Sequence, residues 1–233
     1  MIVAIHQPNY FPWLGYFHKI ALADVFVFLD DVQYSKNSYT NRVQLLCNGK
    51  PKWLTIPVSF SFGEPITKVQ AAKADWLGDH SERLTAYYSH APHFAAVWPL
   101  IHEMLKTTPP DNLAAINSHL VKAIAAKLNL PCTFVSSSDL GITDARGDDR
   151  LIEIVSAIAR GGTYLFGRGG ANYQDEQKYR EAGIDTRGSA FQHPEYPQGD
   201  HDFVPGLSVT DALFQLGWEG VSRILLDAPE RYG

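Results

Sequence analysis

The chain has 233 residues, of which 45% are hydrophobic and 19% charged, as is typical of a globular protein with a substantial core. Its net charge of −5 argues against a broad nucleic-acid-binding face, and no run of about eighteen apolar residues predicts a membrane helix. The N-terminus lacks signal-peptide features, and the two cysteines are far apart, so we expect a cytoplasmic protein.

Apolar runs in the first third of the chain alternate with helix and turn signals. Residues 2–5 and 25–29 predict buried strands, with a short amphipathic helix at 14–23 between them. The pair Asn48-Gly49 is a strong hairpin signal, and predicted strands at 43–46 and 53–58 flank it. This order predicts a parallel sheet with an antiparallel excursion.

Helical spacing of apolar residues dominates the middle of the chain. Helices are predicted at 80–88, 94–106 and 113–128, the last one capped by Asp111 or Asn112. Strands at 133–135, 163–166 and 186–191 then alternate with helices at 149–159, 173–182, 209–216 and 221–226. We predict one α/β domain over 1–233, with a Rossmann-like, mainly parallel sheet, flanking helices, a β-hairpin and a helical insertion at about 78–130.

Polar segments follow the predicted strands. The carboxyl ends of parallel strands meet at one edge of a sheet, where α/β proteins bind ligands. The segments are His6-Gln7, Asp30-Asp31, Ser136–Ser138, Gly167–Gly170 and Gln192-His193. Their convergence predicts a ligand site at that edge.

The loop after the first strand combines prolines with amides and aromatic rings. Pro8 and Pro12 restrict its backbone, so its side chains lose little conformational freedom when a ligand binds. The alternative is that the aromatic rings simply pack in the core. We interpret the loop as one wall of the site, and its candidate substrate-binding residues are Gln7, Asn9, Tyr10 and Trp13.

Two histidines and an aspartate are the catalytic candidates. His6 and His193 both lie in proline-containing loops, and imidazole titrates near neutral pH, so either could serve as general base. Structural histidines held by hydrogen bonds are the alternative. Asp31 is the member of the Asp30-Asp31 pair that we expect to point into the site, although turn chemistry would also explain the pair. No metal-binding signature is present, and the sequence identifies no cofactor.

Four further residues are candidates for substrate binding. Asn41 and Arg42 precede the hairpin, and a guanidinium at this place would clamp a phosphate or carboxylate. Ser137 follows the strand at 133–135. Gly169 belongs to Gly167–Gly170, a loop rich in backbone N–H groups that lacks both GxGxxG spacing and a P-loop lysine. An exposed loop held by its own hydrogen bonds is the alternative for the Asn41 segment.

An ordered set of motifs resembles the WbqC-like family over nearly the whole chain. These motifs are Ile5–Gly15, Phe28–Ser35, Asn41-Arg42, Trp53–Val58, Ser136-Ser137, Gly183-Ile184, His193–Gln198 and Leu207–Phe214. Similar proteins are associated with bacterial O-antigen and other surface-polysaccharide gene clusters. The resemblance implies a transferase acting on a nucleotide-linked amino sugar, by N-acyl or aminoacyl transfer with a histidine base. Its partners would be the nucleotide sugar and an acyl donor or carrier protein.

A fainter likeness points to the nucleotidylyltransferases and class I synthetases. Their HxGH motif would fall at Trp13-Leu-Gly-Tyr16, where both histidines are missing. A nucleotidyl-transfer or hydrolytic enzyme is therefore the enzymatic alternative. A protein that binds a glycan precursor or a biosynthetic partner without chemistry is the non-enzymatic one.

Overall fold

A computed structural model describes residues 1–72, 75–167 and 174–227. The strands among these residues are β1 (Ile2–His6), β2 (Val25–Phe28), β3 (Arg42–Cys47), β4 (Lys50–Thr55), β5 (Val58–Ser59), β6 (Gln70–Ala71), β7 (Thr133–Ser136), β8 (Thr163–Phe166) and β9 (Asp185–Gly188). The α-helices are α1 (Leu14–Leu22), α2 (Trp76–Tyr88), α3 (Phe94–Lys106), α4 (Leu113–Lys127), α5 (Gly147–Ile158), α6 (Glu176–Glu181) and α7 (Val209–Leu226).

Five strands form a parallel sheet in the order β7-β2-β1-β8-β9. This order corresponds to 3-2-1-4-5, the arrangement of the first five strands of a Rossmann sheet. The sequence of β2, Val-Phe-Val-Phe, is buried throughout, as expected for a parallel strand covered on both faces. The prediction of an α/β fold with a mainly parallel sheet is therefore confirmed.

Side chains of the sheet alternate between two helical layers. Val3, Ile5 and Val27 pack with Ile154 of α5 and Tyr179 of α6 on one face. The other face belongs to the larger core, formed by residues such as Ala4, Phe26, Phe28, Phe17 of α1 and Phe214 of α7. His6 continues the alternation of Ala4, so its side chain lies on the same face as α1.

The hairpin forms at the predicted turn. Asn48 and Gly49 have φ angles of +49° and +70°, and Cys47 pairs with Lys50 across them. Positive φ at both turn residues is typical of a type I′ turn, which asparagine and glycine tolerate. The antiparallel pair of β5 and β6 was not predicted, because two-residue strands carry too little pattern to detect.

Helices α2, α3 and α4 lie between β6 and β7. Asn112 caps α4, accepting a hydrogen bond from Ala115 N at 3.0 Å. The two helices predicted at the end of the chain form α7, which bends at Gly217. The φ there is +72°, and a Cβ would lie 2.8 Å from Nδ1 of His93, so both conformation and space require glycine.

Two predicted elements are shorter than expected. The strand predicted at 186–191 ends at Gly188, and the helix predicted at 173–182 begins at Glu176 within the described residues. In the part of the chain that the structure describes, every helix lacks the length or the apolar character required to cross a membrane.

Candidate functional site

The sheet topology places a switch point between β1 and β8. The chain proceeds from β1 to one side of the sheet and returns to β8 on the other side, so the connections diverge at this point. Ligands of open α/β sheets bind outside the carboxyl ends of strands at such a switch point. His6 ends β1 and Gly167 follows β8. We therefore take the surroundings of these two residues as the candidate site.

The loop after β1 is held in place by hydrogen bonds to its backbone. Asn117 of α4 donates from Nδ2 to the carbonyl oxygens of Pro8 at 2.9 Å and Thr40 at 2.7 Å. Ser208 donates from Oγ to the carbonyl oxygen of Phe11 at 2.9 Å. Phe11 itself has a φ of +39°, a strained value for a residue with a side chain. These contacts fix the loop, and with it the side chains next to β1.

His6 presents one ring nitrogen as an acceptor. Nδ1 lies 3.1 Å from the carbonyl oxygen of Gln7, which can only accept, so Nδ1 carries the proton and Nε2 the lone pair. The ring packs edge-on against Tyr16 at 4.8 Å and Trp13 at 6.0 Å between centroids. Burial, and secondly the charge of Lys19, lowers the pKa of His6 to about 3. The imidazole is thus neutral at physiological pH.

Lys19 of α1 is a site residue that the sequence analysis missed. Its side chain is buried, with 5% of the residue exposed, and Nζ donates to the carbonyl oxygen of Ile5 at 3.0 Å. Burial lowers its pKa to about 8. A Cβ on Gly167 would lie 3.8 Å from Cδ of Lys19, so the lysine reaches the end of β8. Among the described residues, no carboxylate forms an ion pair with it.

Aromatic rings extend from His6 toward the hairpin. Trp13 lies 5.2 Å from Tyr39, and Tyr39 lies 5.8 Å from Trp53, measured between ring centroids. The guanidinium of Arg42 stacks on Trp53 at 4.0 Å. Tyr39 is 39% exposed and Trp53 40% exposed. We call these four residues, Trp13, Tyr39, Trp53 and Arg42, the aromatic platform. The aromatic platform joins the opening loop to Arg42.

Asp31 and Ser137 meet at the carboxyl ends of β2 and β7. Asp31 forms an ion pair with Arg150 of α5 at 2.5 Å and accepts a hydrogen bond from the Ser137 hydroxyl at 2.5 Å. The Asp30 carboxylate accepts hydrogen bonds from the backbone N–H and the hydroxyl of Ser138, both at 3.0 Å, and the Asp30 N–H donates to Ser137 Oγ at 3.2 Å. Asp30 is the more deeply buried of the two aspartates, with 5% exposed. The Asp31 carboxylate is therefore held between two partners of its own.

His193 lies beyond the end of β9 and is connected to the opening loop through aromatic contacts. Its ring centroid is 5.1 Å from that of Phe191, which in turn is 5.0 Å from His18 of α1. A Cβ on Gly15 would lie 2.9 Å from the Phe191 ring and 3.0 Å from Nε1 of Trp13. Burial lowers the pKa of His193. His6 contacts Tyr16 directly and His193 is linked to His18 through Phe191, so both histidines lie near α1.

The remaining predicted residues occupy different environments. Tyr10 is fully buried, and its hydroxyl bonds to Nδ1 of His80 at 2.8 Å. We therefore assign Tyr10 to the core rather than to the ligand-facing wall, because its ring has no exposed face. Asn9 and Asn41 are buried as well, and Asn41 donates to the carbonyl oxygen of Ile56 at 3.1 Å. Gln7 is partly exposed. Gly169 lies outside the described residues.

Metal-binding groups and thiols do not add to this site. No three His, Cys, Asp or Glu side chains of the described residues come close enough together to hold a metal ion. Both cysteines are free, and burial raises the pKa of the Cys132 thiol to about 12, which makes it unreactive.

Comparison with known proteins agrees with the motifs around this site. The model of the WbqC-like protein family matches residues 7–223. This chain belongs to the WbqC-like family. It is also 31% identical over 220 residues to "Uncharacterized protein Rv1507c" of Mycobacterium tuberculosis, covering 93% of this chain and 94% of that protein. The matched region of the WbqC-like chain includes Gln7, Lys19, the aromatic platform and His193.

Proposed function

We propose that this WbqC-like protein is a cytoplasmic transferase that installs an acyl or aminoacyl group on the amine of a nucleotide-linked sugar for surface-polysaccharide biosynthesis. The observation that supports this function is the state of His6. Its ring is neutral, its Nδ1 proton is engaged by Gln7, and Nε2 has no partner among the described residues. A neutral imidazole with an unengaged lone pair at a switch point is arranged to accept a proton.

The reaction would proceed as the substrate nitrogen attacks the acyl carbonyl carbon. A carbon–nitrogen bond forms, Nε2 of His6 takes the proton from that nitrogen, and the bond from the carbonyl carbon to the donor's leaving group breaks. The proton then passes from His6 to the leaving group, which restores the neutral ring. The low pKa of His6 favours this return, because burial and, secondly, the nearby Lys19 charge disfavour the imidazolium form. The donor would be an acyl thioester or a carrier-bound acyl group.

Recognition of the nucleotide sugar would rest on the aromatic platform. The partly exposed rings of Tyr39 and Trp53 offer faces for stacking on a base or sugar. Arg42 and Lys19 offer positive charge for phosphate oxygens. Gln7, next to His6, would bind a sugar hydroxyl.

A binding protein without chemistry is the second candidate. Two observations favour it: a ring with a pKa of about 3 is a weak base, and the Asp31 carboxylate is engaged by Arg150 and Ser137 instead of orienting a histidine. Such a protein would be stabilised by nucleotide sugars without consuming them.

Product formation by a matched pair of variants distinguishes these functions. The protein is incubated with UDP- and dTDP-linked amino sugars and acetyl-CoA or an aminoacyl thioester, and acylated product is detected by mass spectrometry. We expect His6→Gln to lose product by about 100-fold or more while retaining thermal stabilisation by the nucleotide sugar. His90→Gln, which changes an exposed histidine, should leave turnover unchanged. Equal turnover of His6→Gln and the wild type would reject the acid–base role. Stabilisation by the nucleotide sugar without product from the wild type would favour the binding protein.

A further inference from the structure

A cavity opens at the same edge of the sheet, on the side of β2 and β7. Its volume is about 540 Å³, within the range of small-molecule pockets. Asp30 and Ser136 contribute from the strand ends, Thr67 from a 3-10 turn, and Ser118, His119 and Lys122 from α4. None of these residues except Asp30 figures in the candidate site described above.

The cavity adjoins the candidate site through β1 and β2. His6 pairs with Phe28, and the N–H of Leu29 donates to the carbonyl oxygen of His6 at 2.8 Å. Asp30 is the next residue, and Nζ of Lys122 lies 5.7 Å from the Phe28 ring centroid. The cavity is therefore one strand away from His6 and on the same face of the sheet.

Opposite charges line this cavity without pairing. Asp30 is buried and accepts two hydrogen bonds from Ser138, whereas its neighbour Asp31 has Arg150 as ion-pair partner. Lys122 has no ion-pair partner in the described ranges either. The bonds from Ser138 leave lone pairs on the Asp30 carboxylate that can accept from a donor group of a ligand.

The other polar groups complete the lining. Ser118 and Lys122 lie one turn apart on α4, so both face the cavity. The hydroxyls of Ser118 and Ser136 make no hydrogen bond to another described residue. His119 donates from Nε2 to the Thr107 hydroxyl at 3.2 Å, because that hydroxyl donates its own hydrogen to a backbone carbonyl. Nδ1 of His119 then remains as an acceptor.

We infer that this cavity binds a small anion that also carries hydroxyl or amino groups, as a phosphorylated amino sugar does. The phosphate would accept from Lys122 and Ser118, and the hydroxyl or amino donors would bond to Asp30 and Ser136. The site is distinct from the chemistry proposed for His6. Its test measures binding alone, so the failure of one proposal leaves the other standing.

The test uses glucosamine 6-phosphate as the probe, with glucosamine and inorganic phosphate as its two halves, titrated by calorimetry. We expect the wild type to bind the whole probe more tightly than either half. Lys122→Met should weaken binding of the probe by about tenfold or more, because one charge-assisted contact is lost. Lys127→Met, an exposed lysine of the same helix outside this cavity, is the matched control and should bind as the wild type does.

Two further variants locate the two ends of the ligand. Asp30→Asn should weaken binding of the sugar phosphate but not of inorganic phosphate, and its thermal unfolding is recorded to check the fold. His90→Gln, which changes an exposed histidine outside this cavity, should bind the probe normally. The inference is overturned if Lys122→Met binds like the wild type, if inorganic phosphate binds as tightly as the sugar phosphate, or if the wild type does not bind the probe.

Discussion

Replacing Lys19 with methionine should stabilise this protein. Methionine matches the length and apolar stem of lysine but carries no charge. At neutral pH the Lys19 ammonium is buried without a carboxylate partner in the described part of the chain, and its one hydrogen bond goes to the carbonyl oxygen of Ile5. Desolvation of this charge is unfavourable, and the lowered pKa measures the penalty.

The size of the effect follows from the pKa. A decrease from 10.5 to about 8 corresponds to about 3 kcal/mol of unfavourable free energy for the charged form in the folded state. Methionine removes this penalty and also removes the hydrogen bond to Ile5, which contributes about 1 kcal/mol. Lys19→Met should therefore raise the free energy of unfolding by about 2 kcal/mol, or the melting temperature by about 4–8 °C.

Chemical denaturation at several pH values is the assay. The folded-state pKa of Lys19 is below its unfolded value, so between about pH 8 and 10.5 the unfolded chain binds a proton that the folded chain has released. Because of this difference, the free energy of unfolding of the wild type increases as the pH rises through this range, whereas that of Lys19→Met gains no such contribution. The advantage of the variant should thus be full below pH 8 and shrink above it. Lys52→Met, in an exposed position of β4, should show no advantage at any pH. A variant no more stable than the wild type at pH 7 would show that the Lys19 charge is compensated.

Three further substitutions test how the site is built. When the pH is lowered from 7.5 to 4.5, the free energy of unfolding of His6→Gln should rise by about 3 kcal/mol relative to that of the wild type. The reason is that only the wild type must keep a ring with a pKa of about 3 unprotonated as the pH falls below 6.5. Parallel curves of stability against pH for the two proteins would contradict the low pKa. Tyr10→Phe should lower the free energy of unfolding by about 2 kcal/mol in the same assay, because Nδ1 of the buried His80 loses its hydrogen-bond donor. Tyr39→Phe, at an exposed ring, is the control and should leave the free energy of unfolding almost unchanged. Asn117→Ala should lower the free energy of unfolding by about 3 kcal/mol or more, because two buried carbonyl oxygens lose their donor and a cavity forms. A loss below about 1 kcal/mol would show that the opening loop does not depend on Asn117.

The sequence was sufficient to predict the parallel sheet and the edge at which its polar strand ends meet. Short, β-branched and aromatic apolar runs such as Val25–Phe28 are typical of buried strands, and parallel strands with helical connections bring their polar ends to one edge. The turn at Asn48-Gly49 was predictable because the two residues accept positive φ angles that others resist. These features depend on local chemistry, which a single sequence contains.

The side chains that complete the site depend on contacts between distant segments. Lys19 lies on a helix where a lysine is ordinarily solvated, and nothing near it in the sequence indicates that its head group reaches β8. The burial of Tyr10 depends on His80, seventy positions away. The support of the opening loop by Asn117 is likewise long-range. The spacing of residues within one segment contains no information about contacts with distant segments. The roles of these three side chains therefore could not be predicted from the sequence pattern.

The buried charged side chains of this fold differ in the partners that they have within the protein. Asp211 is buried too, but the hydroxyls of Tyr88 and Tyr196 and the amide of Gln198 all donate to its carboxylate, and so it is accounted for by folding. Asp31 is accounted for by Arg150. Lys19 and Asp30 have no ion-pair partner among the described residues, and both lie at the carboxyl edge of the sheet. Within the fold these two groups have hydrogen-bond partners only, Ser138 for Asp30 and the carbonyl oxygen of Ile5 for Lys19. Each can therefore still bind a ligand group at that edge, and this is why both proposals concern the same edge.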